Sequence, residues 1–311
     1  MFTKTGREGM GNLKFNSLIK RILTAIVMIP IAIYVLYVGS PYVEVLAIIV
    51  GGLLAWEWAN LLSSPQKTSH FVTAYMISLA VSIWGFNFSL IIPIICIISF
   101  FVWLLAAKEK NRRLITLGVP YISIGVGSLI WMYLSFDPSE GYFDPQYNYS
   151  FIMTLWFFVM VWCMDIGGLV VGCNLKGPKL APKISPNKTW SGLCGGILLS
   201  ISVSIIFMYV CTQVIGIPFY DFSKFRYISF AYTPLHIRYE WNIDNQVFYA
   251  VLAALIAIIS QIGDLIESAI KRSVGVKDSS KLIPGHGGVF DRIDGLIFAA
   301  PFVYLFFVYL R

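Results

Sequence analysis

Between residues 264 and 294 the chain sets acids, hydroxyls and bases at helical spacing. Asp264, Glu267 and Lys271 follow i, i+3, i+7, and Asp264, Ser268 and Arg272 follow i, i+4, i+8, so one broad helix face carries carboxylate, hydroxyl and cation. Asp291 and Asp294, three apart, share a face at the start of a following helix. Pairs of carboxylates from two helices at one membrane level form an oxygen-ligand set for a hard cation such as Mg²⁺. The loop between them supplies the anion side. Lys277, Lys281 and Arg292 bring positive charge, and Pro284-Gly285-His286-Gly287-Gly288 can present N–H groups as a concave nest. Taken singly, each part has a plainer reading: a salt-bridged stripe, a flexible connector, an ordinary loop histidine. Packed together at a bilayer face they read as a metal-phosphate site.

A second basic loop has the same character. Lys176, Lys179, Lys183 and Lys188 alternate with Pro178, Pro182 and Pro186 and lead into Asn187-Lys188-Thr189-Trp190-Ser191-Gly192. The prolines stiffen it, and the lysines could serve membrane topology alone. Gly172 and Gly177 have the glycine spacing of a Walker loop, but Pro178 stands where its lysine should be, so that match is rejected. Further acids lie in apolar runs, where an Asp at a helix centre costs about 2.5–3.5 kcal/mol on insertion. Glu44 is expected at the outer mouth of a span, Glu57 as a structural acid paired with a basic neighbour. Asp165 precedes Gly167 and Gly168, where a helix-contact role competes with a site role.

Membrane helices must position these groups. Of 311 residues, 58% are hydrophobic and only 13% charged, with mean hydropathy +0.75, whereas soluble domains carry about a quarter charged residues. Spans need about 20 apolar residues; nine candidates run 17–38, 42–62, 71–86, 88–107, 114–134, 151–172, 190–215, 247–270 and 294–310. The first is too long for a secretory leader and reads as a retained anchor. With the N-terminus inside, only Lys224, Arg226, Arg238 and Arg311 fall outside, and all other Lys and Arg lie on the cytoplasmic side. The net charge of +7 thus describes topology first, and nucleic acid is a poor partner. The outer-loop acids Asp137, Glu140 and Asp144 and the aromatic connection 216–246 read as solvated and interfacial segments. Five cysteines, odd in number and without a C-x-x-C pair, argue against a disulfide framework or a zinc site. The expected organisation is all-α and polytopic: a cytoplasmic tail 1–16, an N-terminal transmembrane region 17–150 and a catalytic transmembrane region 151–311.

The run from Ser268-Ala-Ile-Lys271-Arg272 through Lys277-Asp278-Ser279-Ser280 to Pro284-Gly285-His286-Gly287-Gly288-Val-Phe-Asp291-Arg292-Ile-Asp294 resembles the signature of the phosphatidate cytidylyltransferases, or CDP-diacylglycerol synthases. Leu180-Ala-Pro-Lys183-Ile-Ser185-Pro186-Asn-Lys188-Thr189-Trp190-Ser-Gly192 resembles a second motif of that family, and Gln261-Ile-Gly263-Asp264-Leu-Ile-Glu267 the approach to the signature. The close similarity covers roughly 162–298; towards the N-terminus Trp56-Glu57-Trp58-Ala59 and the span count agree. Asp165-Ile166-Gly167-Gly168-Leu169 departs from the pattern, where a small hydroxyl residue after the acid and an aromatic at the end are expected, so Asp165 receives no role.

The resemblance implies an all-helical integral membrane enzyme of about nine spans, a homodimer. Such an enzyme joins CTP and phosphatidate into CDP-diacylglycerol and pyrophosphate with Mg²⁺, and a monovalent cation such as K⁺ could share its site. It carries over Asp264 and Asp291 as metal ligands, with Asp294 and Ser268 beside them. Lys271, Arg272, Lys277, Asp278, His286 and Arg292 become catalytic candidates, and Lys183, Ser185, Lys188, Thr189, Lys271, Arg272, Gly287 and Gly288 candidates for substrate phosphates. The expected location is a membrane crossed several times, the cytoplasmic membrane if the protein is bacterial, with the site facing the cytoplasm. A secondary transporter of an anionic solute, or an enzyme cytidylylating another lipid phosphate, stays open as an alternative. An alcohol phosphotransferase using CDP-lipid fits less well, because Asp294-Gly295 is followed by Leu-Ile-Phe-Ala without the arginine and later acids such enzymes carry.

Overall fold

The computed structural model describes residues 26–84, 88–135, 148–215, 243–283 and 287–309. The tail 1–16, the acids Asp137, Glu140 and Asp144, most of the outer connection 216–246, and His286 lie outside these. Within them the chain forms helices α1 (Ile26–Val38), α2 (Tyr42–Leu62), α3 (Thr68–Trp84), α4 (Phe88–Leu105), α5 (Arg112–Ser135), α6 (Tyr149–Leu175), α7 (Trp190–Tyr209), α8 (Ile243–Ser273) and α9 (Phe290–Tyr309). One π-helical turn, Val210–Val214, extends α7.

The described helices follow the apolar runs, and α5, α6 and α8 extend beyond theirs by a few residues at both ends. Helical hydrogen bonding continues past the end of the hydrophobic stretch until a cap or a turn stops it. At 1.5 Å per residue the 31 residues of α8 measure about 46 Å, against a hydrocarbon core of about 30 Å. The polar end of α8 therefore emerges from the apolar region. Among the described residues, five helices are long and apolar enough to cross a membrane: α2, α5, α6, α7 with its π turn, and α8. Large apolar side chains such as Ile166, Leu169, Leu198, Ile206, Val251 and Phe302 stand on the exterior. Such a surface is suited to lipid rather than water, and the chain is a multi-pass, all-α membrane protein.

Two compact units divide the chain: Met1–Ser123 with Lys271–Ile293, and Ile124–Ile270 with Asp294–Arg311. In the first, polar groups of α2 and α3 reach carbonyls of α5. Trp58 Nε1 donates to Leu114 O at 3.0 Å and the Tyr75 hydroxyl to Ile115 O at 2.6 Å. Ser82 Oγ donates to Ser123 O at 2.7 Å. These three buried side chains thus find partners among backbone acceptors, as an apolar medium favours.

The turn between α4 and α5 is tied to the α2–α3 turn by Glu109, which accepts from the Ser64 hydroxyl (2.8 Å) and amide (3.0 Å) and pairs with Lys67 at 3.5 Å. The Ser64 hydroxyl above all, then its amide and Lys67, outweigh burial and hold the Glu109 carboxyl below the usual glutamate range. A depressed folded value means that this tie contributes fully above the unfolded pKa and fades as pH falls through the folded one. Melting curves in detergent should show Glu109→Gln slightly less stable than wild type at pH 7, the two converging as pH drops below the ordinary glutamate range. A constant gap would remove the role of its charge.

The second unit contains an element that the proline-stiffened reading of the basic loop did not anticipate. Lys179–Ala181 (β1) and Ser185–Thr189 (β2) form an antiparallel hairpin, with Lys179 opposite Thr189 and Ala181 opposite Ser185. Pro182 lies in its turn and Pro186 next to a paired residue, so two strands tolerate these prolines as an isolated ribbon does. All five cysteines are free.

Candidate active site

In the second unit, α6 and α7 approach so closely that backbone meets backbone. A Cβ placed on Gly167 would lie 2.8 Å from Gly195 O and 2.9 Å from the Gly196 Cα. The glycines after Asp165 therefore serve helix contact, while Asp165 itself is exposed on α6. Where β2 runs into α7, Thr189 acts as the N-cap: its Oγ1 accepts from the Gly192 amide at 3.1 Å. Thr189 is thus a buried cap. One residue earlier on the same strand, Lys188 forms an ion pair through Nζ with Asp264 Oδ2.

Asp264 belongs to a tight group of acids. Asp264 and Glu267 from α8 and Asp294 from α9 each offer a carboxylate oxygen, and these oxygens lie within 4.8 Å of one another. The helices approach at Gly263, where an added Cβ would meet Asp294 O at 3.1 Å, which sets the two backbones close enough for the carboxylates to converge. Ser268 Oγ lies 3.4 Å from Asp264 Oδ1. Glu267 is buried at 1% exposure, while the side chains of Lys188 and Asp264 keep 20% and 30%. The group therefore has a closed floor and an accessible mouth. Three carboxylates and a hydroxyl are hard oxygen donors of the kind that hold Mg²⁺ together with substrate phosphates, so the residues fit a divalent cation.

The first unit organises the signature loop around Asp291. This carboxylate takes Lys271 Nζ at 2.6 Å, the Ser279 amide at 3.2 and 3.1 Å, and the Gly288 amide at 2.8 Å. The resemblance carries Asp291 over with Asp264 as a metal ligand; in the fold its oxygens are engaged by Lys271 at the end of α8 and by amides of the loop. The Gly288 amide, expected in an open anion nest, likewise closes on Asp291. Gly287 turns the chain with φ of 86° and bridges to Ile283.

The remaining candidates are accessible cations and loop residues. Lys183 is exposed in the hairpin turn and Ser185 half-buried at the start of β2. Arg272 is exposed and donates to Val276 O at 2.8 Å, folding the end of α8 onto the loop. Lys277, Asp278 and Arg292 are exposed. Two acids gain importance over their sequence reading. Glu267 joins the carboxylate group, a position signalled by its i+3 spacing from Asp264. Glu57 pairs with no cation among the described residues; hydroxyls and amides of the signature loop surround it.

A polytopic helical membrane protein with an acid group, a paired lysine and a cationic loop defines the class. The family model described as "Cytidylyltransferase family" matches residues 19–310, nearly the whole chain. This chain belongs to the cytidylyltransferase family and is a membrane nucleotidyltransferase. It is 30% identical over 301 residues to the phosphatidate cytidylyltransferase of Brucella suis biovar 1 (strain 1330), covering 92% of each chain. The phosphatidate cytidylyltransferase of Haemophilus influenzae (strain ATCC 51907 / DSM 11121 / KW20 / Rd) is 30% identical over 318 residues, 93% of this chain and 98% of the relative. That of Rickettsia felis (strain ATCC VR-1525 / URRWXCal2) is 28% identical over 309 residues, 99% of each.

Proposed function

We propose that this protein transfers the cytidylyl group of CTP to phosphatidate, yielding CDP-diacylglycerol and pyrophosphate. The observation that carries the reading is the group of Asp264, Glu267 and Asp294 with Lys188 paired to it, in a chain of the cytidylyltransferase family. An oxygen of the lipid phosphate attacks the α-phosphorus of CTP. The bond from that phosphorus to the bridging oxygen breaks, and pyrophosphate leaves. The nucleophile is anionic at neutral pH, so no general base is needed; the protein must align two anions and neutralise the departing charge.

Asp264, Glu267 and Asp294, with Ser268 beside them, would hold Mg²⁺; a monovalent cation such as K⁺ could share the same acids. The bound cation supplies charge neutralisation at phosphate oxygens. Lys188 lies at the mouth of the acid group and offers its ammonium to a substrate phosphate when the acids are otherwise occupied. Lys183, Lys271, Arg272, Lys277 and Arg292 supply further positive charge, and Asp291 holds Lys271 in place. The bias of Lys and Arg along the sequence supports a cytoplasmic face for this site, where CTP is available and the phosphatidate head group lies at the inner leaflet.

The deciding experiment follows pyrophosphate release by purified protein in mixed micelles with CTP, phosphatidate and Mg²⁺. Release should require all three and stop on chelation. No release, or equal release without lipid, rejects the reading. In the same assay Lys183→Ala should raise the KM of one substrate by about tenfold with kcat nearly kept, the signature of lost ground-state binding. An unchanged KM for both substrates would take Lys183 out of the phosphate-binding set.

A further inference from the structure

Glu57 lies in α2 with 0% exposure. Leaving such a carboxylate without partners would be costly. Its partners come from the loop and the first turn of α9, more than two hundred positions along the chain. Oε1 accepts from the Ser280 hydroxyl at 2.6 Å and the Val289 amide at 2.9 Å. Oε2 accepts from the Phe290 amide at 2.8 Å and the Ser279 hydroxyl at 3.1 Å. The two amides are among the N–H groups a helix start leaves unpaired, and negative charge is favoured there by the peptide dipoles. Glu57 therefore caps α9 from another helix. Gly288 makes the approach possible, since a Cβ there would sit 2.5 and 2.6 Å from the two carboxylate oxygens. The next residue, Trp58, packs edge-on against Phe290 with ring centroids 5.3 Å apart.

The clamp connects to the charged residues of the signature loop. Ser279 gives its hydroxyl to Glu57 and its amide to Asp291, and Asp291 holds Lys271. We infer that Glu57 is a positioning residue of the transfer reaction: its carboxylate fixes Ser279, Ser280 and the α9 N-terminus so that Asp291 holds Lys271 in one fixed arrangement for a substrate phosphate. This rests on the proposed cytidylyl transfer. A carboxylate is required because each oxygen accepts one backbone N–H and one hydroxyl. A hydroxyl can rotate to suit a new partner; a backbone N–H cannot. Glutamine would place its NH₂ against one of the two amides, leaving donors facing donors.

The test compares Glu57→Gln, Glu57→Asp and Ser280→Ala in the full-length protein, by steady-state kinetics and by amide hydrogen exchange. Loss of folded protein lowers only the concentration of active enzyme and leaves KM untouched, whereas misplacement of the loop alters every molecule. Glu57→Gln should lower kcat about 30-fold and raise the KM of CTP or phosphatidate about fivefold, from the loss of one or two charge-assisted bonds. Exchange should rise at Ser279, Ser280, Val289 and Phe290 while α6 and α7 keep their protection. Glu57→Asp, one methylene short, should fall between wild type and Glu57→Gln, and Ser280→Ala should be mildest. Wild-type kinetics in Glu57→Gln, or a drop in rate at constant KM with exchange raised throughout, overturns the positioning role. Failure of the wild-type protein itself to release pyrophosphate overturns the reaction reading instead, and the exchange data still report on the clamp.

Discussion

Asp264→Asn should reduce pyrophosphate release by at least about a thousandfold, equivalent to roughly 4 kcal/mol of transition-state stabilisation, while the protein still inserts and purifies as a folded species. Three carboxylates converge at this point, and the substitution removes a full charge together with the partner of Lys188. An asparagine keeps the shape but offers one neutral oxygen where an anionic ligand is needed. Because the Asp264 side chain is 30% exposed, the mutant amide can be hydrated and the fold should survive. Residual turnover should need higher Mg²⁺ for half-activation. Asp291→Asn separates the two roles assigned to the acids. It takes the Asp291 charge away from Lys271, whose side chain is only 10% exposed, and removing one member of a buried pair costs about 3–5 kcal/mol. That variant should lose activity and thermal stability together, with the Mg²⁺ midpoint of the remaining activity unchanged. If Asp291→Asn shifts the Mg²⁺ midpoint and Asp264→Asn does not, the cation is held by Asp291 and the roles of the two acids are reversed.

Gly167→Val should abolish activity by a different route. The α6 and α7 backbones touch at this level, so the new side chain meets a carbonyl oxygen and an α-carbon rather than a rotatable group. Overpacking usually costs about 1–3 kcal/mol, and more where backbone blocks relief. Separating the helices would also displace the hairpin. The Ser191 hydroxyl donates to Lys176 O at 2.5 Å and the Trp190 amide to Pro178 O at 3.1 Å, joining the ends of α6, β1 and α7. Lys188 would move with them. The expected outcome is a melting temperature several degrees lower and activity below detection. Gly167→Ala should be milder on both counts. A valine variant with normal melting and turnover would show that the two helices can part without consequence for the site.

The four-donor environment of Glu57 and the lysine partner of Asp264 illustrate where sequence reading stops. Composition and hydropathy alone establish an all-helical membrane protein, because a chain with 13% charged residues satisfies its backbone in lipid only through helices or closed barrels, and its apolar runs have helical length. The signature residues likewise carry the resemblance to the family, which the match over residues 19–310 shows. Local periodicity even places Asp264, Glu267 and Ser268 on one helix face. Partners from distant segments leave no such trace. Asp291 is three residues from Asp294, yet Lys271, Ser279 and Gly288 engage it; Glu57 is expected to meet a base, yet it caps a helix in the last quarter of the chain. The order of residues fixes what each side chain can donate or accept. Which donor meets which acceptor depends on how closely glycines let helices approach and how the loop folds back, and those distances exist only in three dimensions.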